Sequence, residues 1–412
     1  MVCRIVALLV MAGLAGPAWA QMPDAVARAE AALAERPHAV EEVWRELSAG
    51  GLPLVEPHPG DDGLARVTFA VKTLPEVEAV RLDSVVNAVR AERPVADYVE
   101  DFALPLQRVG ETPIWWISLD VPREVEAAYS FLLLKDGVWQ RRSDPENPRH
   151  LRGGGAEAVL RLDRAAAQAP IQPWPRRHQR RAEGLAIDSA ALARTVDLQL
   201  YRHPGAPADA PVLILYDAFL WGVRAPAWEI TANLARMGEV PPVHVVLIDQ
   251  LDPASEMQRY DDQTRFLADE LLPRLRAEGI AAPARSVILA GASRRGLAAS
   301  RAALERPEAF GGVVSLSGSF YWAPGGEAAE WLSRTLGPAP EAAPRFYLAA
   351  GSLEHVATTT NGGHVMLETN RRFAAALGQA GYEAELAVFA GGHDIAAWRH
   401  ALAEGLVALL GE

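Results

Sequence analysis

Three rhythms of apolar and polar positions follow one another along the chain. Residues 24–47 are rich in Ala, Glu and Arg, carry apolar positions at helical spacing, and stop near Gly50-Gly51. That spacing predicts helix. Residues 52–162 change to short apolar runs separated by turns, at 65–72 (ARVTFAVK), 114–119 (IWWISL), 128–134 (AYSFLLL) and 158–162. Strands so close together, with no helix between them, predict a β-sandwich of immunoglobulin-like type. Residues 163–182 hold Pro170, Pro173 and Pro175 with Arg176, Arg177, Arg180 and Arg181. Proline stiffens such a stretch and little in it builds a core, so it reads as an ordered linker.

From residue 183 the pattern is α/β. Apolar runs at 212–216, 243–248, 286–290, 312–316, 346–349 and 384–388 alternate with helical patterns at 227–236, 261–278, 297–305 and 365–378. Continuous apolar strands between amphipathic helices predict a mostly parallel sheet covered on both faces. Sites in such sheets lie at the carboxyl ends of strands. The expected organisation is a leader at 1–20, a β-domain at 21–162, the linker at 163–182 and an α/β-hydrolase domain at 183–412.

Composition narrows the function. Half of the 412 residues are apolar and 22% are charged, which is globular and excludes disordered or collagen-like chains. A net charge of −12 leaves no electrostatic footprint for nucleic acid. Arg4, the apolar stretch 5–15 and Ala18-Trp19-Ala20 have the anatomy of a secretory signal peptide, too short to span a bilayer. A periplasmic protein without membrane insertion is expected. Cys3 is the only cysteine and leaves with that leader, which removes disulfides and cysteine catalysis from consideration. No H-E-x-x-H is present either, so neither a metal site of the protein's own nor a cofactor is expected.

The run SVILAGASRRG at 286–296 reads as strand, tight turn and helix, with Ser293 in the turn. An α/β-hydrolase elbow needs that layout, because the sharp turn lifts the serine oxygen above the sheet and exposes the next N–H to an oxyanion. Gly291 and Ser293 fit G-x-S-x-G; Arg295 holds the second glycine's place and Gly296 follows one position late. His393 lies in the Gly-rich loop after the last strand, where the fold carries its base. His355, His364 and His400 are the other late histidines. No aspartate lies between Ser293 and His393, and of the glutamates there only Glu354 follows directly on a strand, which makes it the expected orienting acid. Asp394 reads as loop structure. Amides of Arg294 and Phe219 are the expected oxyanion donors.

Together these segments resemble the enterochelin (enterobactin) esterase family. YDAFLW is similar to its L-D-G-x-x-W segment, GASRRG to its G-x-S-x-G-G, VVSLSGSFYW to its S-x-S-G-S-x-W-W, and AGGHDIAAWR to its G-G-H-D-x-x-x-W-R box. Upstream, VWRELSAGGLPLVEP with VTFAVK, then SDPENP and QAPIQPW, resemble its amino-terminal domain and linker. Ala218, Arg295 and Pro253 depart from the family pattern, which has glycine, glycine and arginine there. An alanine at 218 would narrow the oxyanion site if that backbone needed positive φ. The resemblance implies a serine esterase acting on a catecholate siderophore that brings its own iron. A large, aromatic, anionic ligand asks for cations, for which Arg294 and Arg295 are candidates. It also asks for flat faces, for which Trp221, Trp322 and Trp398 are candidates. A general exported carboxylesterase acting on feruloyl or acetyl-sugar esters, and a non-catalytic siderophore-binding protein, are the alternative readings.

Overall fold

The structure, a computed structural model, describes residues 22–91, 102–175, 180–249, 260–358 and 362–411. The expected leader, Arg176 and Arg177, and Pro253 lie outside the described residues. Pro37 makes the first difference from the sequence pattern. Its ring fixes φ and offers no N–H, so residues 24–47 form two helices, α1 (Asp24–Glu35) and α2 (Val40–Ser48). Val26, Leu33, Trp44 and Leu47 pack on Ala70, Ile114 and Trp116. The helix pair thereby covers the outer face of the first sheet.

That sheet has the order β1-β2-β6-β5, with β1 Leu54–Pro57, β2 Leu64–Lys72, β5 Gln107–Arg108 and β6 Ile114–Pro122. A second runs β4-β3-β7-β8, with β3 Ala79–Ser84, β4 Leu104–Pro105, β7 Glu126–Lys135 and β8 Val138–Arg142; β9 (Ala158–Arg161) also pairs with β7. Every pairing in both is antiparallel. Alternation decides the faces, since side chains point to opposite sides with period two. Val67, Phe69, Ile117 and Leu119 of the first sheet meet Leu82, Tyr129 and Phe131 of the second in one core. The Phe69 and Tyr129 rings stand 4.9 Å apart, edge to face.

The linker contributes more core than its composition suggests. Ile171 is buried, and Trp174 packs edge-on against Trp228 while its indole N–H donates to Asn233 Oδ1 at 2.7 Å.

The remaining strands form an eight-stranded sheet of order β10-β11-β13-β12-β14-β15-β16-β17. The strands β12 (Val212–Tyr216), β13 (His244–Ile248), β14 (Val287–Ala292), β15 (Gly312–Leu316), β16 (Arg345–Gly351) and β17 (Ala384–Phe389) are parallel, with β17 at the edge opposite β10. β10 (Glu183–Ser189) and β11 (Arg194–Tyr201) add an antiparallel hairpin at one edge, which makes the sheet mixed. One face is covered by α3 (Ala227–Met237) and the last helix, Ile395–Leu410. The other is covered by α4 (Tyr260–Arg265), a π-helical stretch Phe266–Leu271, α5 (Leu272–Ala277), α6 (Arg294–Glu305), α7 (Trp331–Thr335) and α8 (Met366–Ala380). The last helix, α9, is apolar almost all round because it lies between sheet, linker and amino-terminal strands. Among the described residues no helix is long and apolar enough to cross a membrane.

Candidate active site

Strand β14 ends at Ala292, α6 begins at Arg294, and Ser293 makes the whole turn with φ 57 and ψ −124. That conformation is costly for a residue with a side chain and persists only where the surroundings impose it. Here the close approach of strand and helix imposes it. A Cβ at Gly291 would lie 2.6 Å from the backbone of Arg295, and one at Gly296 would lie 2.5 Å from Ser315 Oγ and 3.1 Å from the Gly291 carbonyl oxygen. The glycines this elbow needs are therefore 291 and 296. Position 295 holds a half-buried arginine whose Cβ would lie 2.8 Å from a Cβ on Gly291. Ser293 Oγ lies 3.3 Å from Ser319 Oγ.

Glu354 and His393 sit on adjoining loops. A Cβ on Gly351, at the end of β16, would be 2.4 Å from the Gly391 carbonyl oxygen, so only glycine lets the loops approach this closely. The Ser352 N–H donates to Phe389 O at 2.9 Å and the Leu353 N–H to Gly391 O at 2.8 Å. Glu354 is buried (7% exposed), and its Oε1 lies 2.7 Å from His393 Nδ1. Its other oxygen, Oε2, accepts from the Gly351 N–H at 2.6 Å and from Ser317 Oγ at 2.7 Å. Ser317 Oγ in turn accepts from Trp398 Nε1 at 2.9 Å. The Trp398 ring meets His393 edge to face, 4.8 Å between centroids. The imidazole is therefore held on one side by a carboxylate and on another by an indole, with its second nitrogen left for chemistry.

Asp394 is structural. Its Oδ1 caps α9 through the Ala396 N–H at 2.6 Å, and its Oδ2 accepts from the Ala128 N–H of β7 at 3.1 Å. Burial pushes its carboxyl up to about 7, against the lowering effect of those backbone donors. The amino-terminal strands brace both loops in further places. Leu353 and Val356, beside Glu354, belong to the core between the two antiparallel sheets. A Cβ on Gly392, beside His393, would lie 2.7 Å from the Val85 Cβ.

Several sequence expectations change. Trp221 is fully buried and Trp398 nearly so, both in the core on the α9 face, so neither offers a face to a ligand. Trp322 is half-buried, edge-on to Tyr260 at 5.0 Å and to Trp331 at 6.4 Å. In the loop after β12 the positive φ falls on Asp217 (φ 71) and not on Ala218, so the alanine carries no backbone strain. Phe219 follows it, with its side chain 55% exposed. Gly153 of the amino-terminal part packs over it, where a Cβ would be 3.3 Å from the ring. Arg294 opens α6 as an exposed residue. Sequence reasoning missed Ser317, whose only signal is the polar residue of SLSGS directly after a buried strand. Among the described residues no group of three or more His, Cys, Asp or Glu side chains is arranged to hold a metal ion.

The sequence model of the esterase family matches residues 189–409, more than half of the chain and the whole of the parallel sheet. The chain belongs to the esterase family. It is 29% identical to the iron(III) salmochelin esterase of Escherichia coli O6:H1 over an alignment of 413 positions, gaps included, that covers 89% of this chain and 93% of that one. It is 28% identical to the iron(III) enterobactin esterase of Escherichia coli K12, over 74% of this chain and 81% of that one. Among solved structures, the ferric enterobactin esterase of Salmonella typhimurium superposes with a TM-score of 0.73 at 23% identity, covering 90% of this chain and 98% of that one. The enterobactin esterase of Shigella flexneri, determined in the presence of enterobactin, gives 0.72 at 23% identity, covering 90% and 97%. The resemblance drawn from the motifs holds, and the esterase's fold is that of an α/β-hydrolase behind an amino-terminal β-region.

Proposed function

We propose that this esterase hydrolyses the ester bonds of a catecholate siderophore, with Ser293, His393 and Glu354 as its catalytic triad. The observation that carries the reading is the buried Glu354 carboxylate 2.7 Å from His393 Nδ1, on a loop next to a strained serine elbow. Ser293 Oγ attacks the ester carbonyl carbon while its proton passes to His393 Nε2. The oxyanion takes hydrogen bonds from the Arg294 and Phe219 N–H groups. Collapse expels the alcohol oxygen, which receives the proton from His393. Water then attacks the acyl-enzyme by the same route in reverse. Glu354 fixes the imidazole tautomer and stabilises the imidazolium.

The names of the relatives supply the substrate class. Arg294 and Arg295 follow Ser293 at the start of α6 and are the cations we assign to the siderophore's anionic oxygens. Phe219, exposed in the loop after β12, is a better aromatic face than the buried tryptophans. Iron arrives with the substrate. We read residues 1–20 as a signal peptide directing the protein to the periplasm, 21–162 as an immunoglobulin-like sandwich, 163–182 as the linker and 183–412 as the catalytic domain. Two experiments test the reading. Turnover of enterobactin, ferric and iron-free, should exceed that of feruloyl and short acyl esters; the reverse order would favour a general carboxylesterase. A fluorophosphonate should label Ser293, and an unlabelled Ser293 would leave only siderophore binding.

A further inference from the structure

The turn after β15 touches the proposed triad at two places. Ser317 Oγ donates to the Glu354 carboxylate at 2.7 Å, and two residues on, Ser319 Oγ lies 3.3 Å from Ser293 Oγ. The turn has little freedom. The Ser317 N–H donates to Ala349 O at 2.6 Å, and Asn370 Nδ2, on a buried side chain of α8, donates to Gly318 O at 2.9 Å. A Cβ at Gly318 would lie 2.4 Å from the Phe320 ring and 2.6 Å from Ser315 Oγ, so the turn packs this tightly only with glycine. The Ser319 N–H then donates to the carbonyl oxygen of Ser293 itself at 3.1 Å. Ser319 thus meets Ser293 with its backbone and its side chain together.

The supply of protons and lone pairs fixes which hydroxyl donates. A serine has one O–H and two lone pairs. Ser319 is fully buried and, among the described residues, Ser293 Oγ is the one acceptor within reach of its proton. Ser293 is only half-buried, so its own proton is not confined to this pair. Were Ser293 the donor, the Ser319 proton would be left buried with its hydrogen bond unmade, which is costly. With Ser319 donating, the Ser293 proton stays free for His393. At 3.3 Å the bond is long, as hydrogen bonds at resting active sites often are before charge builds.

We propose that Ser319 is a fourth catalytic residue, a hydroxyl donor aimed at the oxygen of the nucleophile. As the Ser293 proton passes to His393 Nε2, negative charge builds on Ser293 Oγ. The Ser319 hydrogen bond then strengthens, because bonds to a charged acceptor are stronger than neutral ones. Ser319 keeps its own proton throughout. When the acyl-enzyme breaks down, the bond between Ser293 Oγ and the acyl carbon breaks, and the oxygen bears charge again until His393 returns a proton. The same donor serves that step, and the turn holds it in place before substrate arrives. This assignment deepens the esterase reading above and rests on Ser293 as its nucleophile.

The rate at which a fluorophosphonate labels the whole protein tests it. In that reaction Ser293 Oγ displaces fluoride from phosphorus and gives its proton to His393, with no siderophore to bind and no product to release. Ser319→Ala should label about tenfold or more slowly than the wild type, the worth of a hydrogen bond to a charged group, at an unchanged melting temperature. Its kcat for enterobactin should fall by a like factor while KM stays. Ser319→Thr, which keeps the hydroxyl, should recover most of the rate; if it does not fold, the alanine variant decides alone. Labelling of Ser319→Ala at the wild-type rate, or a folded threonine variant no faster than the alanine, overturns the proposal. So does a slowing matched by a fall in melting temperature, which would show that position 319 only packs the elbow. Failure of the parent reading looks different. A wild type that stays unlabelled removes Ser293 as nucleophile and Ser319 with it. A labelled wild type that leaves enterobactin intact sinks the siderophore reading alone, and the labelling rates still decide Ser319.

Discussion

At the scale of single residues, the site is a hydrogen-bond chain from Trp398 through Ser317 and Glu354 to His393. Ser317 is the link that both accepts and donates, and it is completely buried. Ser317→Ala takes a donor from a buried carboxylate, an interaction worth roughly 1.5–3 kcal/mol. The expected result is a fall in kcat of about tenfold or more with KM little changed; unchanged kcat would remove Ser317 from the positioning network. Asp394 gives the pH prediction. Its carboxyl, ordinarily at 3.8, is raised to about 7 in the folded protein. The folded state therefore holds this proton more tightly than the unfolded one. The stability it contributes is complete below about pH 4 and is lost as the pH rises through about 7. Urea midpoints across that window should fall with rising pH in the wild type and fall less in Asp394→Asn. Parallel slopes would contradict the assignment.

At the scale of elements, the elbow depends on how closely α6 approaches β14 and β15. Gly296→Ala would place a methyl 2.5 Å from Ser315 Oγ and 3.2 Å from the Gly318 Cα. Overpacking of this kind costs roughly 1–3 kcal/mol. It should also move the nucleophile, so activity should fall further than the melting temperature predicts; wild-type activity in this variant would show that the helix can shift freely. This scale also shows what the sequence makes legible. The apolar runs mark β12 to β17 to within a few residues; β12 to β16 are buried along nearly their whole length and carry few polar residues to blur them, while β17 lies at the sheet edge and is only partly buried. The hairpin β10–β11 escapes notice because its residues are half polar, with Ile187, Val196, Leu198 and Leu200 turned inward. Helix α9 escapes for the opposite reason: it is buried nearly all round and lacks an amphipathic stripe. Ser293, His393 and Glu354 are legible from order and strand ends. The burial of Trp221 and Trp398 is not, since a tryptophan reads the same in a cleft and in a core.

At the scale of the whole molecule, the amino-terminal strands and the parallel sheet are tied together at the loops that carry Glu354 and His393. Glu126 of β7 is buried and paired with Arg399 and His400 of α9 and with Gln168 Nε2 of the linker at 2.8 Å. Burial alone would raise its carboxyl, but the His400 hydrogen bond and the Arg399 charge hold it below the usual range. Glu126→Ala strands those cations and should cost about 3 kcal/mol or more, read as a lower urea midpoint; a loss under 1 kcal/mol would mean the pairing is merely peripheral. No chain-local pattern could reveal this contact or that of Ala128 with Asp394, because their partners lie more than 260 residues apart. The most direct test of the central claim is chromatography of enterobactin after incubation with the wild type and with Ser293→Ala. The wild type should convert it to ring-opened and monomeric dihydroxybenzoylserine products, and the variant should be slower by a factor on the order of 10⁴ or more. Intact enterobactin with the wild type, or the same products from Ser293→Ala at more than about a tenth of the wild-type rate, would contradict the account.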